Sequence, residues 1–368
     1  MKTIRRLIYR EILSSVAFVA MGFLALFFFF VFVDDLQHIS KSAAAGYTLG
    51  VSVFYVALQI PNHLYELLPI AVLIGTIFVM ARFAQSSEYT ILRTSGLGPW
   101  RALGTLLTLG MFFVVLTFTF GDYIAPISDR AAQLLKSRYQ GNITTGQTGA
   151  WLKERQQYQS YAVNVAAIAS DGSLRGIRIF EFDGKGAMVS RTLAPVARFG
   201  QDQSWILENA ERSEFVTDDK STAQITQAQL QEFRWPTEIS AEMVSTALLK
   251  PERMATYDLF QYIRHLDANG QTSHRYEIEF WKKVFYPLAC LVMVVLALPF
   301  AYLHFRAGGI TSYVFGGVMI GISFFLVNNV FSHAGNLQNW YPWLTAGAPG
   351  ILYSLFSLAA FGWLVLRR

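Results

Sequence analysis

The stretch ILSSVAFVAMGFLALFFFFVFV, from Ile12 to Val33, carries no charge and contains four consecutive phenylalanines, Phe27 to Phe30. A helix crossing a hydrocarbon core of about 30 Å needs roughly 20 apolar residues, so this segment alone selects a membrane-spanning fold. It is too long for the apolar region of a cleaved signal peptide, and no small-residue cleavage site precedes Asp34. Further uncharged stretches lie at Leu67 to Ala81, Ala102 to Phe120, Val284 to Leu303, Ile310 to Val330 and Tyr341 to Leu366, which predicts six spans. Tyr47 to Tyr65 is also uncharged, but it holds Gln59, Pro61, Asn62 and His63 together. Proline removes a helical N–H and bends a helix. That segment therefore reads as the lead-in and outer half of a long, kinked second span.

Composition agrees. Of 368 residues, 53% are hydrophobic and only 15% charged, where a soluble domain carries about 25% charged residues. A disordered tail, a collagen-like fibre, a disulfide scaffold and an ordinary cytosolic enzyme do not fit these values. The single cysteine, Cys290, allows no intrachain disulfide.

Net charge is +5, and its placement sets orientation. Basic residues near span ends favour the cytoplasmic side. With the N-terminus inside, that side holds Lys2, Arg5, Arg6, Arg10, Arg82, Arg93, Arg101, Arg306, Arg367 and Arg368. Both termini are then cytoplasmic. Residues 127–275 become one extracytoplasmic insertion between 1–126, with the first three spans, and 276–368, with the last three. The insertion holds 17 basic and 17 acidic residues, so the surplus belongs to the membrane part and no polybasic nucleic-acid face is indicated.

The insertion reads as strand-rich. Gly176 to Phe182 has β-branched and aromatic content and is followed by the turn Asp183-Gly184; Asp171-Gly172 is a second turn. Tyr161 to Val165, Trp205 to Leu207 and Glu214 to Val216 are further short strands, a pattern that favours a sandwich or jelly roll. After Met254 the spacing from Tyr257 to Leu266 turns helical and stops near Asn269-Gly270.

Chemical motifs are missing. No G-x-x-x-x-G-K-[ST] loop occurs, and Gly184-Lys185-Gly186 is a turn, so ATP has no such cradle on this chain. There is no H-E-x-x-H, and His38, His63, His265, His274, His304 and His333 lack metal-ligand spacing. No G-x-S-x-G elbow is present. Ion-driven transporters place carboxylates deep in their spans. Here Glu66, Asp122, Glu277 and Glu279 lie at span ends, which disfavours a secondary transporter and leaves the energy source open.

The inner loop between spans two and three is the most informative. Ser87 can cap a short helix that opens on Glu88, whose carboxylate suits the positive helix end. Tyr89, Leu92 and Leu97 offer an apolar side, and Gly96, Gly98 and Pro99 stop the helix. Such a helix can lodge in a groove on a soluble partner or lie against the headgroups; the residues alone leave both open.

Here the sequence resembles a family. Ser87-Glu88 through Arg93-x-x-Gly96 is similar to the coupling helix, about residues 86–97, of the LptF/LptG permease family, which exports lipopolysaccharide from the Gram-negative inner membrane. Phe32-Val33-Asp34-Asp35-Leu36, Ala125-Pro126, Thr148 to Lys153 and Tyr276 to Pro287 agree in order and spacing over the whole chain; the first and last of these are more like the LptG branch than the LptF branch. The resemblance implies an α-helical membrane protein of three plus three spans around a periplasmic all-β jelly roll. It implies a non-catalytic subunit of an ABC exporter, paired with an LptF-type permease and docked on an LptB-type ATPase dimer. ATP and magnesium would sit on that partner, and LptC-type and LptA-type jelly-roll proteins would receive the lipid on its way to the outer membrane. Glu88 would contact the ATPase, with Tyr89, Leu92, Arg93 and Gly96 shaping the coupling helix.

The substrate's acyl chains and phosphates call for a site that is apolar below and cationic at the outer leaflet. Phe23, Phe27 and Phe30 fall on one face of the first span, where packing is the other reading. Lys41, Arg130, Lys136 and Arg138 are candidates for phosphate contact through charge-assisted hydrogen bonds, although solvated interface cations read equally well. Lys136 falls where the family's rim carries a basic residue. Val31 and Gln37-His38 give the end of the first span no lysine. Gly317 and Gly321 form a G-x-x-x-G that permits close helix approach, either at a lateral seam with a partner or within the chain. A different class also fits: a membrane-anchored envelope scaffold whose β domain binds a periplasmic protein and moves no lipid.

Overall fold

A computed structural model describes residues 2–42, 46–86, 88–140, 149–156, 159–169, 171–200, 202, 204–217, 223–247, 251–302 and 310–364. Ser87, Thr148, His304, Arg306, Arg367 and Arg368, named above, lie outside them. The chain divides into two compact units. One comprises Met1–Leu36, Val56–Asp129 and Glu277–Arg368; the other comprises Gln37–Tyr55 and Arg130–Tyr276.

Among the described residues six helical stretches are long and apolar enough to cross a membrane, in agreement with the count from sequence: Thr3–Gln37, Leu49–Gln85, Pro99–Lys136, His274–Tyr302, Thr311–Gln338 and Pro342–Trp363. Helix α1 (Lys2–Ser42) has 41 residues, which at 1.5 Å per residue makes about 60 Å, twice the hydrocarbon thickness. Helix α2 (Leu49–Gln85) is continuous through Pro61 and Pro69, so Tyr47 to Tyr65 supplies no seventh span. The short α3 (Glu88–Thr94) follows, then α4 (Pro99–Thr119), which starts with Gly98 at its N-cap and Pro99 at the first helical position.

At its far end α4 passes through a π turn, Phe120–Ile124, into α5 (Ala125–Gln140). The helix therefore continues through Ala125-Pro126. The segment Ala125–Gln140 is amphipathic, with Asp129, Arg130, Lys136 and Arg138, and hydropathy alone does not register such a continuation. The fourth span is broken at its prolines. It runs as α8 (His274–Phe285), a 3₁₀ turn at Tyr286–Leu288, α9 (Ala289–Ala297) and a second 3₁₀ turn at Leu298–Tyr302. Pro287 and Pro299 lack the N–H that would continue an α-helix there. Helices α10 (Ile310–Gln338) and α11 (Pro342–Leu364) complete the unit.

The core of this unit gathers on α2. Ala71, Val72, Leu73 and Ile77 are fully buried with Ile12 of α1, Leu106 of α4 and Met293 of α9. In α2's apolar window 78% of residues are buried, against 11% in α1 and 17% in α10. The last two therefore keep wide apolar faces turned away from their own chain.

The second unit carries the inserted β domain. Strands β1 (Ala150–Gln156), β2 (Gln159–Ile168), β3 (Leu174–Phe182), β4 (Met188–Phe199), β5 (Ser204–Thr217) and β6 (Ala223–Pro236) form one antiparallel sheet in sequence order. Each strand pairs with its sequence neighbour, so the described strands make a meander without the crossovers between two sheets that a complete jelly roll adds. Trp205 to Leu207 and Glu214 to Val216, read as two strands, are one: the chain passes between them through Asn209 at a positive φ of 51°. One face of the sheet buries Leu152, Val163, Val165, Ile177, Ile179, Trp205, Leu207 and Trp235. Covering residues are Ile239, Val244 of α6 (Ala241–Ala247), and Tyr262 and Leu266 of α7 (Thr256–Ala268). Helix α7 stops at Asn269, as its sequence indicates.

Candidate functional site

The loop between the second and third spans forms the short helix expected of it. Tyr89, 4% exposed, and Leu97, 3% exposed, join the membrane unit's core, and Leu92 packs against it. The opposite side shows Glu88, Arg93 and Thr94 exposed, with Ile91 at 63%. An apolar side chain that exposed, beside a carboxylate, gives the helix an outer face of mixed chemistry.

The helix stops by a Schellman arrangement. Gly96 N–H donates to the Arg93 carbonyl at 3.1 Å and Leu97 N–H to the Leu92 carbonyl at 3.0 Å. This needs a positive φ at Gly96, observed at +98°, a conformation that glycine takes without Cβ strain. Arg101 Nη1 then donates to the Gly96 carbonyl at 3.1 Å. The turn predicted from Gly96, Gly98 and Pro99 is thus present, and Gly96 carries it. Ser87, the expected cap, is outside the described residues.

Tyr89 also reaches the other half of the chain. Its hydroxyl lies 3.1 Å from the Tyr302 hydroxyl, and the two rings meet edge to face at 5.1 Å. The Arg93 guanidinium lies 5.9 Å from the centre of the Tyr302 ring. Nothing in the sequence singled out Tyr302, because a contact spanning 213 positions leaves no local pattern.

The candidate lipid contacts separate. Phe27 and Phe30 are exposed and Phe23 is half-buried on the sparsely covered α1; Phe27 also packs on the His63 ring at 5.1 Å. Arg130 pairs with Asp258 of α7, which gives it a structural partner. Lys136 places its ammonium 4.7 Å from the centre of the Tyr55 ring. The side chains of Lys41 and Arg138 lie outside the described residues.

Gly317 and Gly321 pack within the chain. A Cβ on Gly317 would meet Ile77 Cδ1 at 2.7 Å, and one on Gly321 would meet Ile70 Cγ2 at 2.9 Å. Both glycines seat α10 on α2 inside the chain, as the second of the two readings has it.

Sequence reading missed a polar cluster in the membrane unit. Lys283, 7% exposed, donates to the Gly121 carbonyl at 3.0 Å. Lys282 pairs with Glu279 at 2.8 Å, and the Tyr286 hydroxyl donates to the Glu66 carbonyl at 2.5 Å. The sign available was Pro126, five residues past Gly121, in a helix that has to continue.

The two edges of the β sheet differ. On β1 the outward N–H of Lys153 donates to Gln271 and that of Arg155 to Asn269, at 3.3 and 2.9 Å. Side chains just beyond α7 thus seal that edge. The far edge of β6 carries no strand among the described residues. Ala223 to Gln231 contains no charge, and residues 225–229 are exposed. Natural edges are normally blunted by charge, proline or cover; among the described residues β6 has none of these over that stretch. Among the described residues no group of three or more His, Cys, Asp or Glu side chains could hold a metal ion.

The comparisons with known proteins agree with this architecture. The chain is similar to the lipopolysaccharide export system permease protein LptG of Escherichia coli K12, with 25% identity over 340 residues, 92% of this chain and 90% of that protein. It is similar to LptG of Haemophilus influenzae, with 24% identity over 100% of this chain and 99% of that protein. The family described as lipopolysaccharide export system permease LptF/LptG matches residues 6–366. A six-span helical unit with an inserted antiparallel sheet, matched almost end to end, belongs to the LptF/LptG family of lipopolysaccharide export permeases.

Proposed function

We propose that this chain is the LptG-type subunit of an ATP-driven exporter that extracts lipopolysaccharide from the inner membrane and passes it to a periplasmic bridge. It performs no bond chemistry. ATP and magnesium are bound by a separate ATPase of the LptB type, and a companion permease of the LptF type completes the membrane pathway. Both termini face the cytoplasm and the β domain faces the periplasm.

One observation carries the reading. Helix α3 is anchored on one side by Tyr89 and Leu97 while it presents Glu88 and Ile91 on the other. An apolar residue beside a carboxylate suits a groove with a basic rim on a soluble protein better than it suits the headgroup layer alone. The sparsely covered α1 and α10 support a second membrane chain, because a long apolar face turned outward packs against lipid or another span. Phe23, Phe27 and Phe30 would line the acyl-chain side of the cavity, and Lys41, Lys136 and Arg138 its phosphate rim. Arg130, already paired with Asp258, is the weakest member of that set. The open edge of β6 suits pairing with a β domain of the LptC or LptA type.

The test is purification of the chain from native membranes with mass analysis of what accompanies it, followed by the Lys136→Glu variant. Retention of an ATPase, a second permease and lipopolysaccharide supports the reading, together with reduced lipid cross-linking in the variant. A β-domain partner without ATPase or lipid would favour a scaffold.

A further inference from the structure

Helix α3 belongs by chain to the first three spans. It follows α2, and it joins α4 through the Gly96 turn, so any force applied to its outer face travels covalently only into that half. A buried hydrogen bond ties it to the second half, the Tyr89–Tyr302 hydroxyl pair at 3.1 Å. Edge-to-face rings at 5.1 Å and the Arg93 guanidinium reinforce the tie. Both tyrosines are almost fully buried, at 4% and 6% exposure. Burial raises the Tyr89 phenol pKa and keeps it a donor. Tyr302 closes the 3₁₀ turn that contains Pro299 at the end of the fourth span, and short 3₁₀ pieces within helices often mark hinges.

We propose that the Tyr89–Tyr302 pair is the joint that carries a push on α3 into the fourth span, making Tyr302 a positioning residue for coupling the two halves. The inference rests on the docking of α3 proposed above. The aromatic contact sets the distance between α3 and the end of the fourth span, and the hydroxyl bond sets the rotation of one ring on the other. Without the pair, a push on α3 would reach the fourth span only indirectly, through the packing of α9 on α2 and α4.

The experiment uses the complete complex of this chain with its companion permease and ATPase, reconstituted in vesicles with lipopolysaccharide. Lipid released per ATP hydrolysed is read for Tyr302→Ala, Tyr302→Phe, Tyr89→Phe and the double phenylalanine variant. Tyr302→Ala is expected to lower that ratio about tenfold, with complex yield and hydrolysis rate within about twofold of wild type, the size of an ordinary coupling free energy between sites. Tyr302→Phe keeps the rings and the guanidinium contact and loses only the hydroxyl bond, so a drop of about two- to threefold is expected; the double variant falls no further, because both changes remove the same bond. An unchanged ratio in Tyr302→Ala overturns the joint, as does a fall that merely tracks complex yield. If Tyr302→Ala fails to assemble, the two phenylalanine variants decide: unchanged ratios overturn the joint, and equal, non-additive losses support it. A wild-type complex that hydrolyses ATP without releasing lipid, or retains no ATPase, sinks the permease reading and this inference with it. A coupled wild type beside an unaffected Tyr302→Ala sinks the joint alone.

Discussion

Lys283 in the fourth span donates its ammonium to the backbone carbonyl of Gly121 in the third, at 3.0 Å. That carbonyl is free to accept because of the π turn. Ala125 N–H, which would bond to Gly121 in an α-helix, bonds instead to Phe120 five residues back. Pro126 has no N–H to offer the next carbonyl. Gly121 itself is fixed by space, since a Cβ there would collide with the Tyr65 ring. Three spans therefore meet at one irregular turn, and a lysine serves as a backbone donor.

Replacing Lys283 by Met is expected to leave the Gly121 carbonyl buried and unpaired, at a cost of about 1–3 kcal/mol. Gly121→Ala should cost more, because Tyr65 has to move. Thermal unfolding of the purified chain in detergent would read both. A Lys283→Met protein as stable as wild type would show that the ammonium is not holding the turn.

Glu88→Ala should leave the fold intact, because Glu88 is exposed. Hydrogen bonds to charged groups contribute roughly 1.5–3 kcal/mol, so loss of one at the proposed docking face should weaken ATPase retention about ten- to hundredfold. Quantitative co-purification checks this, and unchanged retention together with normal export would remove Glu88 from the interface.

Gly321→Val inserts side-chain atoms where no room exists, since Ile70 Cγ2 would stand only 2.9 Å from the new Cβ. Overpacking of this kind costs about 1–3 kcal/mol. The paired change Gly321→Val with Ile70→Ala should recover part of the loss. Absence of recovery, measured by thermal unfolding, would mean that α10 does not rest on α2 through this residue.

His265 in α7 gives the β domain an acid sensitivity. Burial holds its imidazole pKa below the usual value, and its Nε2 has no hydrogen-bond partner. A depressed folded pKa means that the unfolded chain takes the proton first as pH falls. Stability is therefore full above about pH 6.5, the ordinary histidine value, and declines as pH drops below it toward the folded pKa. Chemical denaturation at pH 7.5 and 5.5, followed by tryptophan fluorescence, should show the decline, and His265→Gln should flatten it. An equal slope in that variant would assign the acid sensitivity to other groups.

Ile225→Lys on β6 places a charge on the open edge. Ile225 is 62% exposed, so folding should change by no more than about 0.5 kcal/mol, while the proposed pairing with a second β domain should be lost. Site-specific cross-linking from residue 227 to a co-expressed β-domain partner reads this directly; an undiminished cross-link would mean that pairing uses another surface.

The sequence determined what depends on composition and near neighbours. Uncharged runs set the six spans because the bilayer imposes length and polarity on each span separately. Tyr89, Leu92 and Gly96 revealed a short, sharply stopped helix because caps and apolar spacing act within a turn or two, and Asn269-Gly270 marked the end of α7 for the same reason. The tertiary structure alone decided the rest. Strand β6, rich in glutamine, gave no local signal, and pairing with β5 made it a strand. Gly317 and Gly321 could serve either a partner or the chain until Ile77 and Ile70 were seen against them. Tyr302 and Lys283 acquire meaning only through Tyr89 and Gly121, more than 150 positions away, because packing, unlike helical periodicity, leaves no repeat along the chain.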